Sequence, residues 1–364
     1  MRLSNALGWV LACTAWLSCA PPVHAAPPHG SRSTSAPSKA WGHTPQVRAL
    51  AQELAQRYTL PLNWTEQHLA QAHRLDQVRQ LILPPTTPSA KNWAAYRARF
   101  IEPRRIEAGV KFWREHEDAL RRAEQRYGVP AHMVVGIIGV ETFYGKHMGK
   151  FSVLDVLTTL SLDFPNEHPR AAERQAFFQS ELGHFLKQTR QGASIKRLGS
   201  YAGAMGWPQF MPSSWSQFAV DFDGDGRVDL QRSPVDAIGS VANYFASFGW
   251  EKGMPTHFDI DVSGPEVDLP TLTAPDILPT FSAARMTELG ARLEQSGQSH
   301  EGQLALIELQ NGGLAPSYVA GTANFYVVTR YNWSSYYAMA VIELGQAVKA
   351  ALPASTQASA AGNN

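Results

Sequence analysis

The sequence predicts an α+β fold that is mainly α, and three features predict it. Apolar residues recur at helical spacing through most of residues 45–127. Residues 131–140 are apolar on every side, the pattern of a buried helix. Between Gly249 and about Asn324 the period changes to alternation broken by Gly and Pro, which places a small β-rich segment inside a helical chain.

The N-terminus comes first in the chain and stands apart from the fold. Arg2 precedes an apolar run from Leu7 to Leu17 that is too short to span a bilayer, and the small-residue site Val23-His24-Ala25 follows. Residues 1–25 therefore read as a signal peptide, and the periplasm is the expected destination. Cleavage after Ala25 removes Cys13 and Cys19, the chain's two cysteines, and with them any disulfide or thiolate metal site. Leu17-Ser18-Cys19 also loosely resembles a lipoprotein signal, with Trp16 where Leu is usual. An ordinary leader cysteine and a lipid-anchored outer-membrane N-terminus both stay open. Residues 26–44, rich in Pro, Ser, His and Ala, read as a flexible linker, and 353–364 as a similar tail. No later stretch is long and apolar enough for a membrane span.

The ordered part begins with an expected N-terminal α domain, 45–127, in which Val47, Leu50, Ala51, Leu54 and Ala55 share one helix face. Its later half carries Phe100, Ile101, Ile106, Val110, Phe112, Trp113 and Leu120 among dense charges, as long amphipathic helices do. Gly128-Val129-Pro130 breaks the pattern and opens a core at 128–249. The β-rich insertion, 250–324, contains the alternating pieces 257–262 and 303–309, and 325–352 returns to helix. Thirty-two Lys and Arg against 31 Asp and Glu leave a formal charge of +1, so no basic field points to nucleic acid. Ten Trp, 11 Tyr and 16 Phe supply core, and also the flat faces on which sugar rings stack.

Candidate chemistry centres on Glu141, directly after the buried helix, with Ile137 and Ile138 one turn back on its own face. Poor solvation there raises the pKa of a carboxylate towards what a general acid needs near neutral pH. The plainer alternative is a glutamate emerging into solvent before Gly145. Downstream, Ser200 to Ser214 is dense in small, aromatic and uncharged hydrogen-bonding residues, the lining of a sugar cleft or simply a packed loop. Asp155 and Asp163 are the candidates for a second carboxylate, in a stretch that reads more simply as helix and turn. His147, His168 and His184 lack the i, i+4 spacing of a zinc pair, which favours surface or core roles. Asp221, Asp223, Asp225 and Asp229 with Gly226 and the carbonyl of Arg227 match positions one, three, five, nine, six and seven of an EF-hand loop. Arg232 stands where the closing glutamate belongs.

Gly139-Val140-Glu141-Thr142-Phe143-Tyr144-Gly145, the run Tyr201 to Ser214, Asn243-Tyr244-Phe245 and Arg330-Tyr331-Asn332 together resemble the B-type lytic transglycosylases, over roughly 45–352. The resemblance implies a lysozyme-like core, an N-terminal helical domain and a small inserted β domain. It also implies that Glu141 is the single catalytic acid, then base, in non-hydrolytic cleavage between N-acetylmuramic acid and N-acetylglucosamine, with 1,6-anhydromuramoyl products. Ser200, Gln209, Tyr331, Asn332 and Tyr337 look like the glycan contacts, and Arg174 like the one match to an arginine pair facing the stem peptide. Asp236 fits the aspartate that closes a longer calcium loop in that family, although Ser233-Pro234-Val235-Asp236 is also a good helix start. Pro208 departs from the family pattern, where Gly is frequent. The expectation is a monomeric enzyme acting on peptidoglycan glycan strands, with no catalytic cofactor and a structural Ca²⁺. A hydrolytic muramidase using the same cleft, a non-catalytic cell-wall binding protein and a calcium sensor are the alternatives.

Overall fold

The computed structural model describes residues 39–84 and 91–353, so the signal-peptide and lipid-anchor assignments, both cysteines, most of the linker and the tail beyond 353 lie outside the described residues. The chain opens with α1 (Pro45–Tyr58), α2 (Leu62–Gln71) and α3 (Asp76–Leu81), followed by α4 (Trp93–Ala98), α5 (Pro103–Glu115) and α6 (Glu117–Tyr127). Next come α7 (Ala131–Thr142), the short β1 (Phe151–Ser152), α8 (Val153–Leu162), α9 (Ala171–Arg190) and β2 (Leu198–Gly199). After α10 (Pro212–Phe218) and α11 (Pro234–Ser247) the chain passes into β3 (His257–Asp261), α12 (Leu269–Thr273), α13 (Ala283–Glu288), β4 (Arg292–Leu293), α14 (Gln295–Gln298), β5 (Ala305–Asn311) and β6 (Leu314–Gly321). It ends in α15 (Ala323–Tyr331) and α16 (Ser335–Ala350).

Three apolar cores organise these elements. The largest surrounds α7 and takes Phe112, Leu120, Ile137, Ile138, Val241, Phe245, Phe325, Tyr337 and Val341. A second joins α1 and α2 to α8 and α9 through Leu50, Leu54, Leu69, Leu157, Phe178 and Leu182. The third lies under the antiparallel sheet β4-β3-β6-β5, where Phe258, Leu272, Met286, Leu304, Leu306 and Ala320 meet. The residues of the expected N-terminal α domain thus divide between two cores: α1–α3 pack on α8 and α9, while α4–α6 pack around α7 and α16. Asp155 and Asp163 serve that first junction. Asp155 Oδ1 accepts from the backbone N–H of His73 at 2.9 Å, and Asp163 pairs with Arg74 at 2.7 Å and Arg79 at 3.3 Å.

The placement of α7 follows from its composition. A helix with Met133 through Gly139 all buried must be covered on every side, and α16 covers it closely. Gly136 and Gly345 make the approach possible. A Cβ on Gly136 would sit 2.2 Å from the Val341 carbonyl oxygen, and one on Gly345 would sit 2.1 Å from that of His132. α7 then stops abruptly, because Phe143, Tyr144 and Gly145 all take left-handed backbone, with φ of 50°, 55° and 78°. Left-handed conformation costs a non-glycine residue about 1–3 kcal/mol and persists only where surrounding structure enforces it.

The contact at Gly136 sets the sign of a substitution. Helix propensity alone makes Gly136→Ala stabilising by about 0.5–1 kcal/mol. Backbone overlap with α16 outweighs that gain, so the change is expected to destabilise by about 1–3 kcal/mol. Thermal or urea denaturation measures it, and a neutral or raised midpoint would show that the two helices can part without penalty.

Candidate active site

Glu141 occupies the last turn of α7, half-buried among rings that arrive from three other helices. Tyr337, in the first turn of α16 and 2% exposed, donates its hydroxyl hydrogen bond to Glu141 Oε1 at 2.5 Å. The Tyr331 ring, from the end of α15, stacks on Tyr337 with centroids 6.4 Å apart. Tyr96 of α4 lies near enough for the charge of Glu141 to help burial raise its phenol to about 12. The same two causes, burial first and then Glu141, hold the phenols of Tyr331 and Tyr337 well above the usual tyrosine range. Loss of water pushes the Glu141 carboxyl up to about 7, and the Tyr337 hydroxyl, which favours the ionised form, opposes it only in part. The result is a carboxyl that can hold a proton near neutral pH and release it there.

The segment 200–212 is joined to the surroundings of Glu141 through Thr142 and Tyr331. Its first residue follows β2, whose pairing with β1 sets Phe151 opposite Gly199. Gly149 must be glycine here, since a Cβ would lie 2.1 Å from the Gly199 carbonyl. Ser200 closes a turn: its N–H donates to Ala204 O at 2.8 Å, and its Oγ accepts from the N–H groups of Ala204 at 3.1 Å and Ala202 at 3.3 Å. With those backbone donors on the oxygen, the hydroxyl proton is available to an acceptor. Gln209 takes left-handed backbone, φ 50°, and its Nε2 donates to Gly206 O at 2.9 Å and Met148 O at 3.2 Å. Two carbonyl partners identify the amide nitrogen and leave the side-chain oxygen as the acceptor.

The segment is wired to the Glu141 wall. Thr142 Oγ1 lies 3.0 Å from the Trp207 carbonyl, and the Tyr331 hydroxyl donates to Pro208 O at 2.5 Å. Pro208 therefore contributes a carbonyl that any residue could offer, and the left-handed turns fall instead on Gly203, φ 85°, Gly206, φ 71°, and Gln209. Of the residues singled out from the sequence, the structure brings Glu141, Tyr331, Tyr337 and the segment bearing Ser200 and Gln209 into one contact network. Asn332, 6% exposed, caps the C-terminus of α15 beside Tyr331. Arg174 belongs to the α9 layer, with its guanidinium over Phe177 at 5.0 Å and Phe178 at 5.1 Å. Sequence reasoning missed Tyr96, Thr142 and the buried Glu181. A tyrosine 45 positions upstream carries no local mark of its proximity. His147, His168 and His184 pack against Phe143, Phe164 and Tyr58.

In the acidic loop the carboxylates of Asp221, Asp223 and Asp236 converge, with ligand oxygens within 4.8 Å of one another. Asp236, 1% exposed, also organises the loop: Oδ1 accepts from Phe222 N at 2.8 Å and Asp223 N at 3.3 Å, and Oδ2 from Asp229 N at 2.8 Å. Its N–H in turn takes the Ser233 cap of α11 at 3.1 Å, so the capping role and the loop-closing role coexist. Asp225 lies outside the converging set, with Oδ1 accepting from Arg227 N at 2.8 Å.

Comparison with known proteins accords with this geometry. Residues 42–346 match the model of the transglycosylase SLT domain. Membrane-bound lytic murein transglycosylase B of Escherichia coli (strain K12) is 42% identical over 318 residues, 85% of this chain and 84% of that one. The soluble lytic transglycosylase SltB1 of Pseudomonas aeruginosa superposes with a TM-score of 0.75 at 38% identity, covering 84% of this chain and 99% of that one. The Escherichia coli lytic transglycosylase Slt35 in complex with calcium gives 0.72 at 39% identity, covering 86% and 96%. By sequence and fold alike, the chain belongs to the lytic murein transglycosylase B family, built on the transglycosylase SLT domain.

Proposed function

We propose that this chain is a peptidoglycan lytic transglycosylase in which Glu141 acts first as acid and then as base. The observation that carries the reading is a carboxyl raised to about 7 by burial, with no ion pair among the described residues, and joined through Thr142 and Tyr331 to a segment of fixed polar groups. Protonated Glu141 delivers its proton to the glycosidic oxygen between N-acetylmuramic acid and N-acetylglucosamine, and that bond breaks. The carboxylate then takes the proton of the muramoyl C6 hydroxyl as its oxygen bonds to C1, which closes the 1,6-anhydro ring. Ser200 donates and Gln209 accepts, a pair matched to the carbonyl and N–H of an N-acetyl group; this supplies orientation and preorganised polarity. Asn332 and Tyr331 extend the wall that faces the glycan, and Arg174 is assigned to the stem-peptide side.

The exported location rests on the 1–25 leader, and glycan strands are found where that leader directs the chain. Among the described residues no helix is long and apolar enough to cross a membrane. Mass analysis of the mature N-terminus separates cleavage after Ala25 from lipidation at Cys19. The acidic loop is assigned a structural Ca²⁺ held by Asp221, Asp223 and Asp236, with the carbonyl of Arg227 and with Asp225 completing the shell on binding. Hard oxygen donors fit that cation, and three converging carboxylates repel one another without it.

Glu141→Gln should abolish glycan release from purified peptidoglycan while leaving fold and sacculus binding intact. Muropeptide mass analysis of the parent enzyme should show 1,6-anhydromuramoyl ends. Reducing muramic acid ends would instead identify a muramidase, and appreciable turnover by the variant would remove Glu141 from its role.

The pH dependence has a defined sign. The reaction needs the protonated acid, so kcat/KM should fall as pH rises through about 7, where the Glu141 carboxyl ionises. Removing the hydrogen bond that favours the carboxylate raises that value further. Tyr337→Phe should therefore move the alkaline limb to higher pH, and a limb that stays in place or moves down contradicts the assigned role of the hydroxyl.

Calcium bound only to the folded state adds RT ln(1 + [L]/Kd), about 1.4 kcal/mol at roughly ten times Kd. Chelation should lower the melting temperature and leave low-temperature turnover largely unchanged, and Asp221→Ala or Asp223→Ala should abolish the difference. Equal melting in chelator and in millimolar-range calcium would reduce the loop to an acidic turn.

A further inference from the structure

We propose that Glu181, Gln188 and Arg197 are positioning residues that clamp both ends of the glycan-contacting segment 200–212 to one buried face of α9, an inference that rests on the cleft reading above. Glu181 and Gln188 stand seven residues apart and so share a helix face, with Phe185 between them. They are 3% and 8% exposed, and Arg197 is 5% exposed. None of the three takes part in the chemistry assigned to Glu141.

At the downstream end Glu181 grips a single residue twice. Its Oε1 accepts from the Ser213 hydroxyl at 2.6 Å and its Oε2 from the Ser213 N–H at 2.8 Å. Gln188 Nε2 donates to Pro212 O at 2.7 Å and to Ser216 Oγ at 2.9 Å. At the upstream end Arg197 Nη1 donates to Gln188 Oε1 at 2.8 Å and its Nε to Ser194 O at 3.1 Å. The guanidinium is sandwiched, 4.6 Å from the Phe185 ring centre and 5.1 Å from that of Trp215. Gln188 therefore joins the two ends through one amide, using its oxygen for the upstream end and its nitrogen for the downstream end.

The chain arithmetic ties this network to the cleft. Ser200 follows Arg197 by three residues, and the intervening backbone is held as well, with Arg197 O accepting from Val153 N at 3.0 Å. Gln209 precedes Pro212 by three residues, too few to absorb a shift without moving its amide. Apolar packing could bury the same surface at lower desolvation cost, and Arg197 Nη2 is buried without a partner among the described residues, whereas the directed hydrogen bonds of Glu181, Gln188 and Arg197 Nη1 and Nε restrict the segment to one geometry. Gln209 is held in left-handed backbone, which needs such over-determination from both sides.

The test measures binding and turnover in the full mature chain. In the Glu141→Gln background, binding of a purified GlcNAc–MurNAc tetrasaccharide is compared for Gln209→Ala, Glu181→Ala, Glu181→Gln, Ser213→Ala and Gln188→Leu. With Glu141 intact, the same substitutions are assayed for kcat, KM and pH profile. Glu181→Ala and Gln188→Leu should weaken binding and lower kcat/KM by about ten- to a hundredfold, the scale of an ångström of misplacement. The alkaline limb should not move, since Glu141 keeps its surroundings. Glu181→Gln, which retains an acceptor for the Ser213 N–H, should recover most of the loss, and Ser213→Ala should fall between. Should Glu181→Ala not fold, Ser213→Ala and Glu181→Gln decide by the same order. If Gln209→Ala binds as tightly as the parent, the cleft reading fails and the clamp with it. If Gln209→Ala weakens binding while the folded α9-face variants match the parent in binding and kcat/KM, the clamp alone is overturned.

Discussion

The backbone contact between α7 and α16 at Gly136 and Gly345 is the constraint on which the site depends. An all-apolar helix is stable only when covered, and two glycines let the cover come within contact of the α7 backbone itself. That separation places the Tyr337 hydroxyl on the Glu141 carboxylate, because the two residues lie on these same two helices. It also removes water from one side of Glu141, the main reason its carboxyl is raised. Packing and acid strength are consequently one property of the helix pair.

The opposite wall is built on different physics. Segment 200–212 is a loop that holds its shape through backbone hydrogen bonds, a left-handed Gln209 and ties to Thr142, Met148 and Tyr331. The acidic loop supports it from a further side: Leu230 O accepts from Trp207 N at 2.9 Å, and Gly206 is glycine because a Cβ would lie 2.2 Å from that same carbonyl. Phe222 of that loop is pressed on Gly239 of α11, so the loop is anchored in the main core rather than hanging from it. A cation bound there would stiffen a region continuous with segment 200–212.

Strain marks both walls. Phe143 and Tyr144 end α7 in a conformation that side chains resist, and Gln209 does the same across the cleft. Their surroundings account for the persistence. The Tyr144 ring fills the space left by Gly109 and Gly139, and the Trp207 ring covers Gly145. Glycine at these positions therefore serves aromatic packing as much as backbone freedom.

Much of this was legible in the sequence because the signals were local. Periodicity distinguished the amphipathic helices from the all-apolar α7, alternation located β3 and β5, and the Asp-Gly spacing marked the acidic loop. Glu141 was legible for the same reason: its neighbours one turn back are part of its own helix, so its burial could be read from the chain around it. Tertiary structure alone decided who meets across the fold. It divided the helices of 45–127 between two cores, brought Tyr96 towards Glu141 from 45 positions upstream, and turned Glu181 inward to grip Ser213. It also drew Asp221, Asp223 and Asp236 together while leaving Asp225 outside. Periodicity records which face of an element is apolar, but a long-range pairing depends on which two faces are pressed together, and a single sequence carries no local imprint of that choice.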